Sequence, residues 1–197
     1  MANKNTQSWF ALVAVFGAIL CFSSPAEGLG TVYDVDANKY VGRWYNMYTN
    51  FWTDSFTGTD GAECTTAEYG KVSETNFTVT NAYSVGEGEP VTSSGYAWVP
   101  LQSEPGKVLI ELDNDAAAST YWILKLGPIV DDQYEYSVVT DSQARSLSVL
   151  ARDPETFDIN YDAEVTEYLL ITGFTSPTTQ RVRVYHGDDC TYLSPEA

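Results

Sequence analysis

The chain has 197 residues, 44% of them hydrophobic and 14% aromatic, which suits one domain with a sizeable core and excludes an intrinsically disordered protein. Its formal net charge is -17, with 10 Lys and Arg against 27 Asp and Glu. A chain this acidic lacks the basic patches needed for nucleic acid or an anionic membrane surface.

At the N-terminus, Lys4 precedes an apolar run from Trp9 to Phe22, followed by Ser23, Ser24, Pro25 and Ala26. The run is shorter than the roughly 20 residues that span a bilayer and has the length of a secretory h-region. Residues 1–26 therefore read as a signal peptide, with cleavage after Gly28 equally permitted, and residues 27–197 as a single domain. No other segment is long and apolar enough to span a membrane. Cys21 leaves with the signal; lipid anchoring through it is disfavoured by the bulky Leu20 that precedes it. The mature chain keeps Cys64 and Cys190, which in an oxidising compartment form one disulfide or, less simply, stay as two buried thiols. Asn76-Phe77-Thr78 is a glycosylation sequon in an exported chain, with Asn76 as the acceptor.

From Arg43 onward, short β-rich runs are separated by turn residues. They cover 43–52, 64–72, 77–85, 92–99, 107–113, 119–126, 134–140 and 146–152. The run from Phe77 to Val85 alternates large and small residues, the period of two that gives a strand two faces. Gly86-Glu87-Gly88 and Asp113-Asn114-Asp115 supply turn chemistry. Such runs with no helix between them predict an antiparallel meander, either a sandwich or an up-and-down barrel.

The period then changes. Asp153-Pro154-Glu155 offers an N-cap, a proline at the first helical position and an acid in the first turn. Phe157, Tyr161, Val165, Tyr168, Leu169 and Thr172 recur at helical spacing, and Gly173 can end the helix. Asp158, Asp162, Glu164 and Glu167 read as its solvated face. An extended segment from Arg181 to Tyr185 leads to Cys190.

Chemistry-bearing motifs are few. The one histidine, His186, rules out zinc motifs of the H-E-x-x-H type and reads as a surface residue. No G-x-S-x-G, P-loop or dinucleotide fingerprint occurs. Asp131-Asp132 and Asp188-Asp189 read as turns. The sequence therefore points to no metal, no cofactor and no enzymatic constellation.

Val35-Asp36-Ala37-Asn38-Lys39-Tyr40-Val41-Gly42-Arg43-Trp44-Tyr45 resembles the G-x-W block that opens the first barrel strand of lipocalins. Cys64-Thr65-Thr66-Ala67-Glu68-Tyr69 and Tyr121-Trp122-Ile123-Leu124 are similar to the second and sixth strands of the apolipoprotein D and bacterial branch of that family. Ser148-Val149-Leu150-Ala151-Arg152-Asp153-Pro154 is similar to its eighth strand. The resemblance covers about residues 33–192; it departs at Thr140-Asp141-Ser142, where many lipocalins place an aromatic. It implies an all-β, eight-stranded antiparallel up-and-down barrel with one C-terminal α-helix packed outside. Gly42, Trp44 and Arg152 would be structural, the arginine lying over Trp44 at the closed end.

Family positions also imply an inner face. It would consist of Tyr69, Val79, Asn81, Ala97, Ile110, Leu112, Tyr121, Ile123, Ser137, Val139 and Ser148. Ser137 and Ser148 together would widen the cavity on the side of the last two strands. Extending the alternation from Tyr121 and Val139 puts Lys125 opposite Glu135 on that same inner face, a neutralised pair. The function implied is extracellular binding, transport or storage of a small lipophile such as a fatty acid, sterol, retinoid or pigment. Two other readings compete: a lipid-modifying enzyme using a thiolate near Cys64, and a protein-interaction module using the open-end loops around 53–63. Neither nucleic acid nor an integral membrane segment is implied.

Overall fold

The structure, a computed structural model, describes residues 29–194 apart from Gly58, Glu87 and Asn114. The signal segment expected over 1–26 lies outside the described residues. In chain order the elements are α1 (Ala37–Tyr40), β1 (Gly42–Thr49), α2 (Phe51–Thr57), β2 (Glu63–Lys71), β3 (Asn76–Ser84), β4 (Val91–Trp98), β5 (Lys107–Leu112) and β6 (Ser119–Leu126). They continue with β7 (Ile129–Val130), β8 (Gln133–Tyr134), β9 (Tyr136–Thr140), β10 (Ser148–Ala151), α3 (Pro154–Asn160), α4 (Asp162–Ile171) and β11 (Val182–Arg183).

The sheet runs β10-β9-β6-β5-β4-β3-β2-β1, every neighbour antiparallel, and closes through β1 on β10. Closure removes the free edges that an open meander would present. Tyr45 pairs with Ala151 and Asn46 with Leu150 at the seam. β11 adds a short pairing outside, against Tyr48 and Thr49 of β1. β7 and β8 form a separate hairpin whose turn residues Asp131 and Asp132 have φ of 47° and 64°.

Two expected elements differ. The first run stops at Thr49 instead of 52, and Phe51–Thr57 is helical. The cause is Asn50: its Oδ1 accepts from Thr53 N at 2.9 Å and its carbonyl accepts from Asp54 N at 3.0 Å. A side-chain cap of this kind fixes a helix start regardless of the aromatic pair that follows. The C-terminal helix starts as expected, with Asp153 accepting from Thr156 N at 2.7 Å, but it is interrupted at Tyr161 (φ -126°, ψ -19°) into α3 and α4. Gly173, with φ +94°, follows its end.

Alternation along the strands gives two cores. The inner one contains Trp44, Tyr69, Phe77, Val79, Ala97, Ile123, Val139 and Leu150. The outer one packs Met47, Tyr136, Val138 and Val149 beneath Phe157, Val165 and Leu169 of the helices. The helix acids are not simply solvated. Asp162 accepts from Tyr48 Oη at 2.6 Å, Glu164 from Tyr136 Oη at 2.8 Å, and Asp158 pairs with Arg183 at 2.7 Å. Asp162 and Glu164 meet their partners because the outward Tyr48 and Tyr136 of the barrel end at the helices, and Asp158 meets Arg183 of β11.

Candidate ligand cavity

The base, the end expected to be closed, is built first. Asp36 accepts from Asn38 N at 2.9 Å and starts α1, which lays Tyr40 across the base. Trp44, fully buried, donates from Nε1 to Tyr40 O at 2.8 Å. Arg152 lies over the Trp44 ring, 3.6 Å from its centroid. Its guanidinium donates to the carbonyls of Arg43 (2.6 Å), Lys39 (3.0 Å), Tyr40 (3.1 Å) and Tyr134 (3.1 Å), so one side chain ties α1, β1 and β8 together. Burial lowers its pKa to about 10, which leaves it charged at neutral pH. Gly42 stands at φ +92° between α1 and β1, a left-handed turn residue where a Cβ would come 3.4 Å from Gln133.

Above this base four hydroxyls form a chain. Tyr69 Oη donates to Tyr121 Oη at 3.0 Å; Tyr121 Oη lies 2.8 Å from Tyr40 Oη, and Tyr40 Oη 3.0 Å from Ser137 Oγ. Burial is the main cause that raises the pKa of all three phenols, so they are neutral throughout the physiological range.

Beside the chain is a cavity of about 340 Å³. Its walls are Phe77, Ala97, Val99, Val108 and Ile123, with Tyr40, Tyr69 and Tyr121 at its inner end. It reaches the surface at the base, among Tyr33 and Asp34 of the N-terminal segment, Glu74 and Thr75 of the β2–β3 turn, and Gln102 of the β4–β5 loop. Tyr33 is 94% exposed there. No Lys or Arg is among the described lining residues. Apolar walls, a few placed polar groups and this volume are what a small-molecule site requires.

A family model for the lipocalin-like domain matches residues 35–175. The chain belongs to the lipocalin family. No curated protein matches it in sequence. Among solved structures, lobster apocrustacyanin A1 is 17% identical with a TM-score of 0.52, over 78% of this chain and 81% of that one. The cockroach allergen Per a 4 is 23% identical with a TM-score of 0.53, over 79% and 91%. Japanin from Rhipicephalus appendiculatus, solved bound to cholesterol, is 16% identical with a TM-score of 0.50, over 80% and 100%. At these identities the likeness concerns the fold.

Of the residues that sequence reasoning assigned to the lipocalin's inner face, Tyr69, Ala97, Tyr121 and Ile123 border this cavity. Val79, Ile110, Leu112 and Val139 pack within the inner core but do not line it. Asn81, opposite Ala67, and Ser148, opposite Val139, lie nearer the open end. Ser137 is fully buried, yet the expected widening beside it is absent from the cavity, because the Tyr40 hydroxyl occupies that space. Phe77 and Val108 were missed although each sits two residues from an assigned neighbour and shares its face. Tyr40 and the loop residues of the mouth carry no periodic signal.

The expected Lys125–Glu135 pair inside the barrel does not exist. A bulge between Ile123 and Lys125 shifts the register, so Lys125 stands opposite the outward Val138. One inserted residue reverses the face of everything after it. Lys125 Nζ instead lies 2.7 Å from Glu164 and over the Tyr168 ring, while Glu135 meets Tyr161.

Cys64 and Cys190 are joined, Cα to Cα 5.4 Å, across 126 positions. A disulfide sulfur is not a nucleophilic thiolate, which removes the residue on which the enzymatic reading depended. His186 is also not a plain surface residue. Nε2 faces Asn46 O at 3.0 Å and so carries the proton, and Nδ1 accepts from Tyr192 Oη at 2.9 Å. Among the described residues no acidic, cysteine and histidine cluster could hold a metal, and no helix is long and apolar enough to cross a membrane.

Proposed function

We propose that this lipocalin is exported, loses residues 1–26 or 1–28, and carries a small neutral lipophile outside the cell as a single folded domain. Three sequence blocks, at 64–69, 121–124 and 148–154, favour the apolipoprotein D and bacterial branch. The observation that carries the ligand reading is the cavity of about 340 Å³ with apolar walls, buried phenols and no Lys or Arg among its described lining residues. Without a cation a carboxylate has no partner at the inner end, and Asp34 and Glu74 stand at the mouth. Tyr69, Ala97, Tyr121 and Ile123 are then contact residues, joined by Tyr40, Phe77 and Val108. Val79, Asn81, Ile110, Leu112, Val139 and Ser148 would serve a ligand long enough to extend toward the open end. A sterol, as in japanin, is one candidate within the neutral class. Asn76 is exposed at the start of β3 and is the proposed glycosylation site.

The reading is tested by native mass spectrometry of protein purified from its source, followed by solvent extraction. A neutral lipophile in one-to-one ratio supports it. Fluorescence competition with matched alcohols and acids completes the test: alcohols should bind at least as well as the corresponding acids. Much tighter acid binding would overturn the neutral-ligand reading.

A further inference from the structure

We propose that the hydroxyl chain is polarised in one direction, from Tyr69 to Ser137, so that the inner end of the cavity offers its ligand hydrogen-bond acceptors and selects one that donates there. This inference rests on the ligand-carrying reading above and names the class of ligand. Each phenol has one proton. The geometry makes Tyr69 the donor toward Tyr121. Tyr121 and Tyr40 then share one contact, and Tyr40 and Ser137 another, and in each either oxygen can donate.

Only one allocation places all three phenol protons in hydrogen bonds: Tyr69 to Tyr121, Tyr121 to Tyr40, Tyr40 to Ser137. Every other allocation leaves the proton of Tyr121 or Tyr40 without an acceptor in the chain, in surroundings where an unsatisfied polar group is costly. The proton left over in the chosen arrangement belongs to Ser137, whose hydroxyl rotates about a single bond. Running head to tail, the bonds also polarise and strengthen one another.

What reaches the cavity is therefore the acceptor side of the chain. Tyr69 has given its proton away and keeps lone pairs, and its hydroxyl lies where Tyr69 and Tyr121 line the inner end. Asp34 and Glu74 at the opposite end also accept, although Glu74 already accepts a hydrogen bond from Lys71 Nζ at 2.5 Å. A ligand that carries an alcohol, phenol or N–H at its inner tip completes the chain. A ketone, ether or carboxylate meets only lone pairs at that inner end.

Isothermal titration of the full mature protein with two matched pairs tests this: naphthol against methoxynaphthalene, and the naphthyl ethanol against acetylnaphthalene, from which it differs by reduction of the carbonyl. The donor of each pair should bind roughly five- to tenfold more tightly, the value of one satisfied hydrogen bond. Tyr69→Phe should shrink the preference to less than about twofold. Ser137→Ala, which touches no ligand, removes the terminal acceptor and with it the head-to-tail polarisation, so the alcohol's advantage over acetylnaphthalene should narrow. The wild-type comparison stands even if a variant fails to fold. Equal or tighter binding of the ether and the ketone overturns the polarity while leaving the ligand cavity intact. Failure of all four probes to bind overturns the ligand reading with it.

Discussion

Outside the barrel, Met47, Val138, Leu147, Val149, Phe157 and Val165 are fully enclosed, and the polar groups among them meet carboxylates on the helices. Inside, the sheet presents Tyr69, Ala97, Tyr121 and Ile123 to a space that is not filled, and the hydroxyls at its inner end meet other hydroxyls. The two faces of one sheet thus do different work. Dense packing under α3 and α4 holds the fold, and this allows the inner face to keep room for a guest that a fully packed core would exclude.

The largest test of that division is the disulfide, which joins the top of β2 to the C-terminal segment on the outside. Closing a loop across 126 positions is worth about 4–5 kcal/mol in the entropic model, and measured values often fall short. Replacing both Cys64 and Cys190 by Ser should lower stability toward that value in urea unfolding, while protein that remains folded binds naphthol unchanged. A loss of binding at low denaturant would mean the clamp also shapes the cavity.

Next in size are two aromatic truncations, one on each face. Trp44→Ala and Phe157→Ala should each cost roughly 3–5 kcal/mol in the same measurement. Only Trp44→Ala should weaken naphthol binding, because Trp44 fixes the carbonyl of Tyr40 and with it the hydroxyl chain. Arg152→Ala should cost about 3 kcal/mol, as buried carbonyls lose a charged donor, and combined with Trp44→Ala it should cost less than the sum, because the two share a contact. Equal loss of binding in Trp44→Ala and Phe157→Ala would break the division between faces.

The sequence made the outer division easier to read than the inner one. Strand positions followed from period two and turn residues, and the helix start from Asp153 and Pro154. Inner-face positions came from the family resemblance, and those on unbroken alternation, Tyr69, Ala97, Tyr121 and Ile123, border the cavity. Three events were invisible because each is local geometry without composition: the cap at Asn50 that turns 51–57 into helix, the bulge after Ile123 that turns Lys125 outward, and the placing of Tyr40 over Ser137. The mouth of the cavity is made by loops, and loop conformation has no period to read.

A smaller effect concerns pH and again separates the faces. His186 lies on the outer side, held between Asn46 O and Tyr192, and burial lowers its pKa from 6.5. The folded state therefore binds this proton less readily than the unfolded chain. The stability is fully present above pH 6.5 and is lost as pH falls from there to the lower folded value. Urea midpoints between about pH 8 and about pH 5 should decline in wild type, with the slope reduced in His186→Phe. Naphthol affinity of the folded protein should stay constant across that window, since the cavity phenols remain protonated. Titration of binding along with stability would place His186 in contact with the inner face after all.

The smallest effect is the one that decides which face Lys125 serves. Its ammonium pairs with Glu164 at 2.7 Å and covers Tyr168, with both ion-pair partners partly exposed at 28% and 52% of their side chains. Exposed pairs of this kind contribute no more than about 1 kcal/mol, so Lys125→Met should shift the unfolding free energy by that amount or less. The hydrogen bond from Lys125 is the main cause that lowers the Glu164 pKa from 4.5. A carboxylate with a depressed folded pKa stabilises above its unfolded value and loses that contribution as pH falls through the folded one. Wild type and Lys125→Met should therefore converge in stability as pH drops below 4.5. Binding should not register the change: the preference for alcohols over acids should be the same in both proteins, because the bulge has already carried the lysine out of the barrel. Acid binding that is strong in wild type and vanishes in Lys125→Met would return Lys125 to the cavity and overturn the separation of the two faces at β6.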